Sequence, residues 1–146
     1  MPKQTKKLFL SLTTISNSSK SPAYRIFVDD TELIAPSVVE DLEPRKKNFI
    51  YTADFDNVKK ITIELLNKEP SDTVVVDGKI VEDVLLIINQ LKIDHLDLIN
   101  NLSKISVYKT NNEVFRTNGY ITFNGTITIK IHKNLLYSSW LSSLFT

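Results

Sequence analysis

The chain has no cysteine, only three glycines and five prolines, and a single tryptophan in 146 residues. Without cysteine there are no disulfides, no thiolate nucleophiles and no zinc-thiolate centres. A dominant charge sign is missing too: 18 basic and 17 acidic residues leave a net charge of +1. Such a balance lacks the long-range field that draws a protein to phosphate backbones or anionic lipid. Nucleic acid and membrane are therefore not expected partners, and no apolar run approaches the roughly 20 residues that span a bilayer. The opening MPKQTKKLFLSLTTI places lysines before an apolar stretch, as a secretory leader does. Ser11, Thr13 and Thr14 interrupt that stretch, however, and no small-residue cleavage site follows, so a strand is expected in place of a leader.

Catalytic signatures are absent as well. There is no GxSxG elbow and no glycine-rich phosphate loop, the devices that expose a nucleophile or cradle a phosphate. His95 and His132 fall in different expected elements and have no partner at ligand spacing, whereas metal work needs converging ligands. The acidic pairs Asp29-Asp30 and Glu82-Asp83 read as turn residues, whose carboxylates bond nearby backbone amides. An enzyme is not expected.

What the chain does have is period-2 alternation broken by turn chemistry. Leu8, Leu10 and Leu12 alternate, as do Tyr24, Ile26 and Val28, and Asp29-Asp30-Thr31 should turn that second strand back through Glu32 to Ile34. Residues 35–47, with Pro36 and Pro44, read as a long loop or short edge element. Strands follow at 48–55 and 59–66, the latter with Ile61, Ile63 and Leu65 on one face. Thr73 to Val76 meets Asp77-Gly78, a strong hairpin signal because type I′ turns need positive φ at both central positions. The run VLLIINQLKI from Val84 suits a buried strand. Further strands are expected at 104–109 and 113–116, and a last hairpin should pair Tyr120–Phe123 with Thr126–Ile131 across Asn124-Gly125. Strands at intervals of about ten residues point to an all-β fold, an antiparallel, jelly-roll-like β-sandwich.

The expected domain is residues 1–133, followed by a docking tail at 134–146. In that tail Tyr137, Trp140, Leu141 and Leu144 recur at helical spacing opposite four serines, with Phe145 beside them. This predicts a short amphipathic C-terminal helix. A helix so short is marginal in water, so the tail residues Tyr137, Trp140, Leu141, Leu144 and Phe145 are expected to bind a partner or the domain itself.

Two ligand chemistries are open to such a fold. Calcium takes six to eight oxygens, which loops at strand ends can supply, and the candidate donors are Asn67, Asp72, Asp77 and Asp83. Carbohydrate needs an exposed aromatic face, for which Tyr51, Phe55 and Tyr108 are candidates, with Trp140 in the tail.

The segment from Ile61 to Leu98 resembles the later half of the calcium-dependent, xylan-type carbohydrate-binding modules. Leu65-Leu66-Asn67 stands at the strand end, Glu82-Asp83 at the acidic opening of the next strand and Ile93-Asp94 at the closing hairpin. Small virion-associated proteins of T-even-like tailed phages are the nearer likeness, through Phe123-Asn124-Gly125 followed by Trp140-Leu141. The resemblance implies a non-catalytic structural or adaptor protein of a tailed-phage virion, made in the host cytoplasm and binding other virion proteins or further copies of itself. The alternative it implies is a carbohydrate-binding module for host-surface or plant-type glycans, with calcium in contact with sugar hydroxyls. One departure bears on calcium: Lys68 stands where those modules carry a ligating aspartate, and an ammonium there repels the ion.

Overall fold

The computed structural model describes residues 6–56, 58–111 and 113–131. The expected C-terminal helix and docking tail, and His132 with them, lie outside these residues. In chain order the strands are β1 (Lys6–Ile15), β2 (Tyr24–Val28), β3 (Thr31–Glu32), β4 (Val38–Glu43), β5 (Lys46–Phe55), β6 (Lys60–Leu65) and β7 (Val74–Val76). They continue as β8 (Lys79–Glu82), β9 (Leu85–Ile93), β10 (Leu96–Asp97), β11 (Ser106–Lys109), β12 (Val114–Phe115), β13 (Tyr120–Ile121) and β14 (Gly125–Lys130). One six-stranded sheet runs β10-β9-β1-β5-β4, with β13 also paired to β9. A second runs β12-β11-β14-β6-β2-β3, and β7 pairs β8 alone. Every pairing is antiparallel.

The alternation read from the sequence decides which side chains meet. Leu8, Leu10 and Leu12 of β1 belong to one hydrophobic cluster with Ile61, Ile63 and Leu65 of β6 and Ile127 and Ile129 of β14. The two six-stranded sheets therefore contribute to a common core. β9 is where simple alternation fails, and the register shows why. Ser11 pairs with Gln90 but Leu12 pairs with Ile88, which leaves Asn89 as an extra residue. This bulge resets the phase of the strand, so Leu86 and Ile88 before it and Leu91 and Ile93 after it are all buried. On the opposite face side chains lock the bulge: the Asn89 amide donates to the Thr13 hydroxyl and, at 3.2 Å, to Asn48, which also accepts from Ser11 at 2.9 Å.

Of the two readings of residues 35–47 the edge element holds: they contain the six-residue edge strand β4, which forms a hairpin with β5 across Pro44-Arg45. Other expectations need correction. Asn124-Gly125 does not close a hairpin. β13 pairs with Ile87 and Leu86 of β9 in the first sheet, while β14 pairs with β6 and β11 in the second. The Asn124 side chain brackets Lys68 instead, accepting from its N–H and donating to its carbonyl at 2.7 Å each. A short helix not expected from the sequence, α1 (Leu102–Ile105), precedes β11. Leu98, just before the 3-10 turn Ile99–Asn101 that leads into α1, and Leu102, the first residue of α1, are both buried.

Between the sheets the Tyr24 and Tyr51 hydroxyls meet at 2.8 Å. Burial pushes both phenols above their usual range, and the bond to Tyr51 raises Tyr24 further. Burial also raises Tyr108, whose hydroxyl donates to the Phe123 carbonyl and accepts the Phe123 N–H at 2.9 Å. A phenol held above its unfolded value near 10 stabilises the fold fully below that pH and loses the contribution as pH rises through the folded value. Alkaline titration should therefore be split. These three tyrosines are expected to stay protonated beyond about pH 10 and to ionise together with the loss of far-ultraviolet circular dichroism. Tyrosinate absorbance that is complete and reversible while the fold persists would refute this.

Candidate functional site

Three connections meet at one end of the fold: residues 16–23 between β1 and β2, residues 66–73 between β6 and β7, and Asp83-Val84 between β8 and β9. The Asn17 side chain turns the first of these by accepting the N–H groups of Ser19 and Lys20 at 2.9 and 2.8 Å. That turn aims the Lys20 ammonium at the Asn67 carbonyl, 2.6 Å away, and at the Asp72 carboxylate, 2.7 Å away. Asp72 also closes a 3-10 turn at Pro70–Asp72 by accepting the Glu69 N–H at 2.7 Å. Asn67 accepts the Ala23 N–H at 2.7 Å and donates to the Ser21 carbonyl at 3.0 Å. Lys68, on the next position, pairs with Asp83 at 2.8 Å, and only 8% and 14% of these two side chains are exposed. Asp83 accepts the Thr73 hydroxyl at 2.7 Å and the Val84 N–H at 2.8 Å as well.

The electrostatics follow from these partners. The Lys20 hydrogen bond, helped by the Glu69 N–H, holds the Asp72 carboxyl below its ordinary range. Burial pushes Asp83 up, but the bonds from Lys68, Thr73 and Val84 outweigh it and hold that carboxyl low. Of the four candidate calcium donors, Asn67, Asp72 and Asp83 come to this end, but ammonium groups, a hydroxyl and backbone N–H groups occupy the lone pairs a hard cation needs. Asp77 sits instead at the tip of the β7–β8 turn with φ 53°. Among the described residues no three His, Asp or Glu side chains are placed to hold a metal ion. Lys68 stands out in the sequence, whereas Lys20 does not, because its role depends on a loop folding across the 51 residues between it and Asp72.

The aromatic candidates for carbohydrate face inward. Tyr51 and Tyr108 are buried, and Phe55 is half-buried against the core. Among the described residues the outward aromatics are Tyr120 and Phe123. Phe123 stacks on Phe115 with ring centroids 6.4 Å apart, and the Lys68 ammonium lies 5.8 Å from its ring. Tyr120 opens the two-residue strand β13, and Phe123 follows it where the chain crosses to the other sheet.

The β7–β8 hairpin rises from this stapled end. Asp77 and Gly78 have φ of 53° and 76°, the paired positive values the sequence predicts, and Val75 stands opposite Ile80. The base is fixed twice: Thr73 and Asp83 bond across it, and Glu82 accepts the Arg45 guanidinium at 2.5 Å and the Ser18 N–H at 3.3 Å. Above that base Val75 and Ile80 are 57% and 63% exposed, and Val76 and Val81 are half-exposed. Arg45 also brings the β4–β5 turn beside the hairpin, and β4 exposes Val38, Val39 and Leu42. The two elements hold seven of the twelve exposed large hydrophobic residues found among the described residues. No described helix is long and apolar enough to cross a membrane.

No protein-family model, curated protein or solved structure matches the chain.

Proposed function

We propose that the chain is a non-catalytic adaptor, a component of a tailed-phage virion in line with the resemblance of its sequence, and that it binds neighbouring proteins of the particle through the β7–β8 hairpin. The finer fold in this reading is a jelly-roll-like sandwich. Its support is the common core and the way the chain passes repeatedly from one six-stranded sheet to the other.

The observation that carries the function is the rigid mounting of an apolar ribbon. A two-stranded hairpin is marginal alone in water, yet this one stands on a largely buried ion pair and exposes β-branched side chains. Patches of this kind mark interaction sites. Covering four half-exposed Val and Ile side chains is worth about 4 kcal/mol at roughly 1 kcal/mol each. That corresponds at best to about millimolar affinity before association costs, so the hairpin needs help from other surfaces or from many copies. The tail residues Tyr137, Trp140, Leu141, Leu144 and Phe145 are a second anchor in this reading.

The test is the double variant Val75→Ser/Ile80→Ser, expressed in infected cells. Both side chains are exposed, so unfolding free energy should change by no more than about 0.5 kcal/mol per site. Copies of the variant in purified virions should fall at least about tenfold, the loss expected when roughly 1.4 kcal/mol of contact is removed. Incorporation at the wild-type level would sink the hairpin as the anchor, and absence of the wild-type protein from virions would sink the particle reading.

A further inference from the structure

We infer that the outer edge of β4 is a docking site for an extended, basic segment of a neighbouring protein, which joins the first sheet as a further antiparallel or parallel strand. This rests on the adaptor reading and names the chemistry of one partner.

The described edges of the two large sheets are unequal. β3, β10, β12 and β13 are two-residue strands, and very short edge strands are one way proteins keep open backbone from recruiting other chains. β4 departs from that pattern. It has six residues, about 20 Å of extended backbone with one bulge at Leu42, all of them exposed, and β5 on one side only. Its sequence VVEDLE combines apolar side chains with three carboxylates and no cation. Lysine is the usual guard residue on an exposed edge, and none is present.

Charge decides the occupant. On its paired side β4 meets basic residues: Lys47 stands opposite Asp41, with the ammonium 3.7 Å from the carboxylate, and Lys46 stands opposite Glu43. No described strand supplies the same on the other side. A second copy of β4 is disfavoured, because antiparallel self-pairing centred on the strand sets Glu40 against Asp41, and like charges directly opposite destabilise a sheet. A segment with adjacent Lys or Arg residues flanked by apolar ones matches both halves of the edge, its cations facing Glu40 and Asp41 and its apolar side chains covering Val38, Val39 and Leu42. Backbone hydrogen bonds supply the affinity in such strand addition and the side chains select the partner.

The probe is a labelled nine-residue peptide, Thr-Val-Thr-Val-Lys-Lys-Val-Thr-Val, titrated against the full chain by fluorescence anisotropy. A control peptide carries Glu in place of both Lys. The basic peptide should bind more tightly than the control by about tenfold or more and weaken as salt is raised. Glu40→Gln/Asp41→Asn should cut its affinity about fivefold, the loss expected for two exposed ion pairs, while the melting temperature holds. Should that pair of changes perturb folding, Glu40→Gln alone is the fallback and should still weaken binding. No binding of the basic peptide, equal binding of both peptides, or affinity indifferent to Glu40 overturns the inference. Its failure is separable from failure of the adaptor reading, which the hairpin variant tests through virion incorporation without reference to β4.

Discussion

Replacing Lys68 with alanine is expected to destabilise the protein by about 3 kcal/mol, near the lower end of the range for breaking a buried ion pair. The lysine and Asp83 are both largely withdrawn from water and 2.8 Å apart, so the deletion leaves a carboxylate in a poorly hydrated site with only Thr73 and the Val84 N–H as donors. The pH dependence gives the signature. In the intact protein Asp83 is held below its ordinary range, so its contribution is present above about pH 4, the unfolded value, and is lost as pH falls through the folded one. Without Lys68 the burial that pushes Asp83 up is opposed less, and the carboxyl protonates more readily. Urea unfolding at neutral pH should thus show the full gap between variant and wild type, and the gap should narrow as the solution is acidified. Lys68→Met/Asp83→Asn should recover part of the loss, because no charge is then stranded. A gap under about 1 kcal/mol would mean that the pair behaves as a solvent-screened surface bridge.

Such pairs mark the boundary of what sequence shows. Alternation and turn chemistry are local, so β1, β2, β6 and the Asp77-Gly78 turn were legible from neighbouring residues alone. Which sheet a strand joins is a non-local matter. Asn124-Gly125 has the chemistry of a hairpin turn but is used for a side-chain bracket on Lys68 and a close backbone approach. The bulge at Asn89 hid the period of β9, since one extra residue moves later side chains to the other face. Aromatics read wrongly in both directions. Tyr51 and Tyr108 lie on core faces with their hydroxyls satisfied, and the exposed Tyr120 and Phe123 lie on and just after β13, a strand of two residues, too short to show which face is inward. Apolar residues of β4 and of the hairpin look like core residues in sequence. Only their exposure among the described residues distinguishes them.

Gly119→Ala is expected to cost about 3–5 kcal/mol, the sum of backbone strain and overpacking. Gly119 is buried at φ +125°, and a Cβ there would lie 2.7 Å from the Ile88 carbonyl oxygen. Rigid backbone provides that contact, so no side chain can move aside. Displacing it breaks the 2.8 Å bond from the Ile88 N–H to the Gly119 carbonyl and lifts β13 from Ile87 and Leu86, which uncovers the fully buried Ile121. Gly78→Ala separates steric crowding from backbone preference. Its φ is +76°, but nothing lies within 4 Å of the added methyl, so only the left-handed penalty of about 1–2 kcal/mol applies. Urea unfolding of the two variants should show the larger loss at Gly119. Equal losses would mean that β13 can shift on β9 to admit a side chain. The two glycines should also differ in function: alanine at position 78 alters the hairpin tip beside Val76, whereas alanine at 119 weakens the fold and leaves the hairpin's own contacts in place. Virion incorporation of the Gly119 variant, measured at a temperature where it is still folded, should therefore match the wild type.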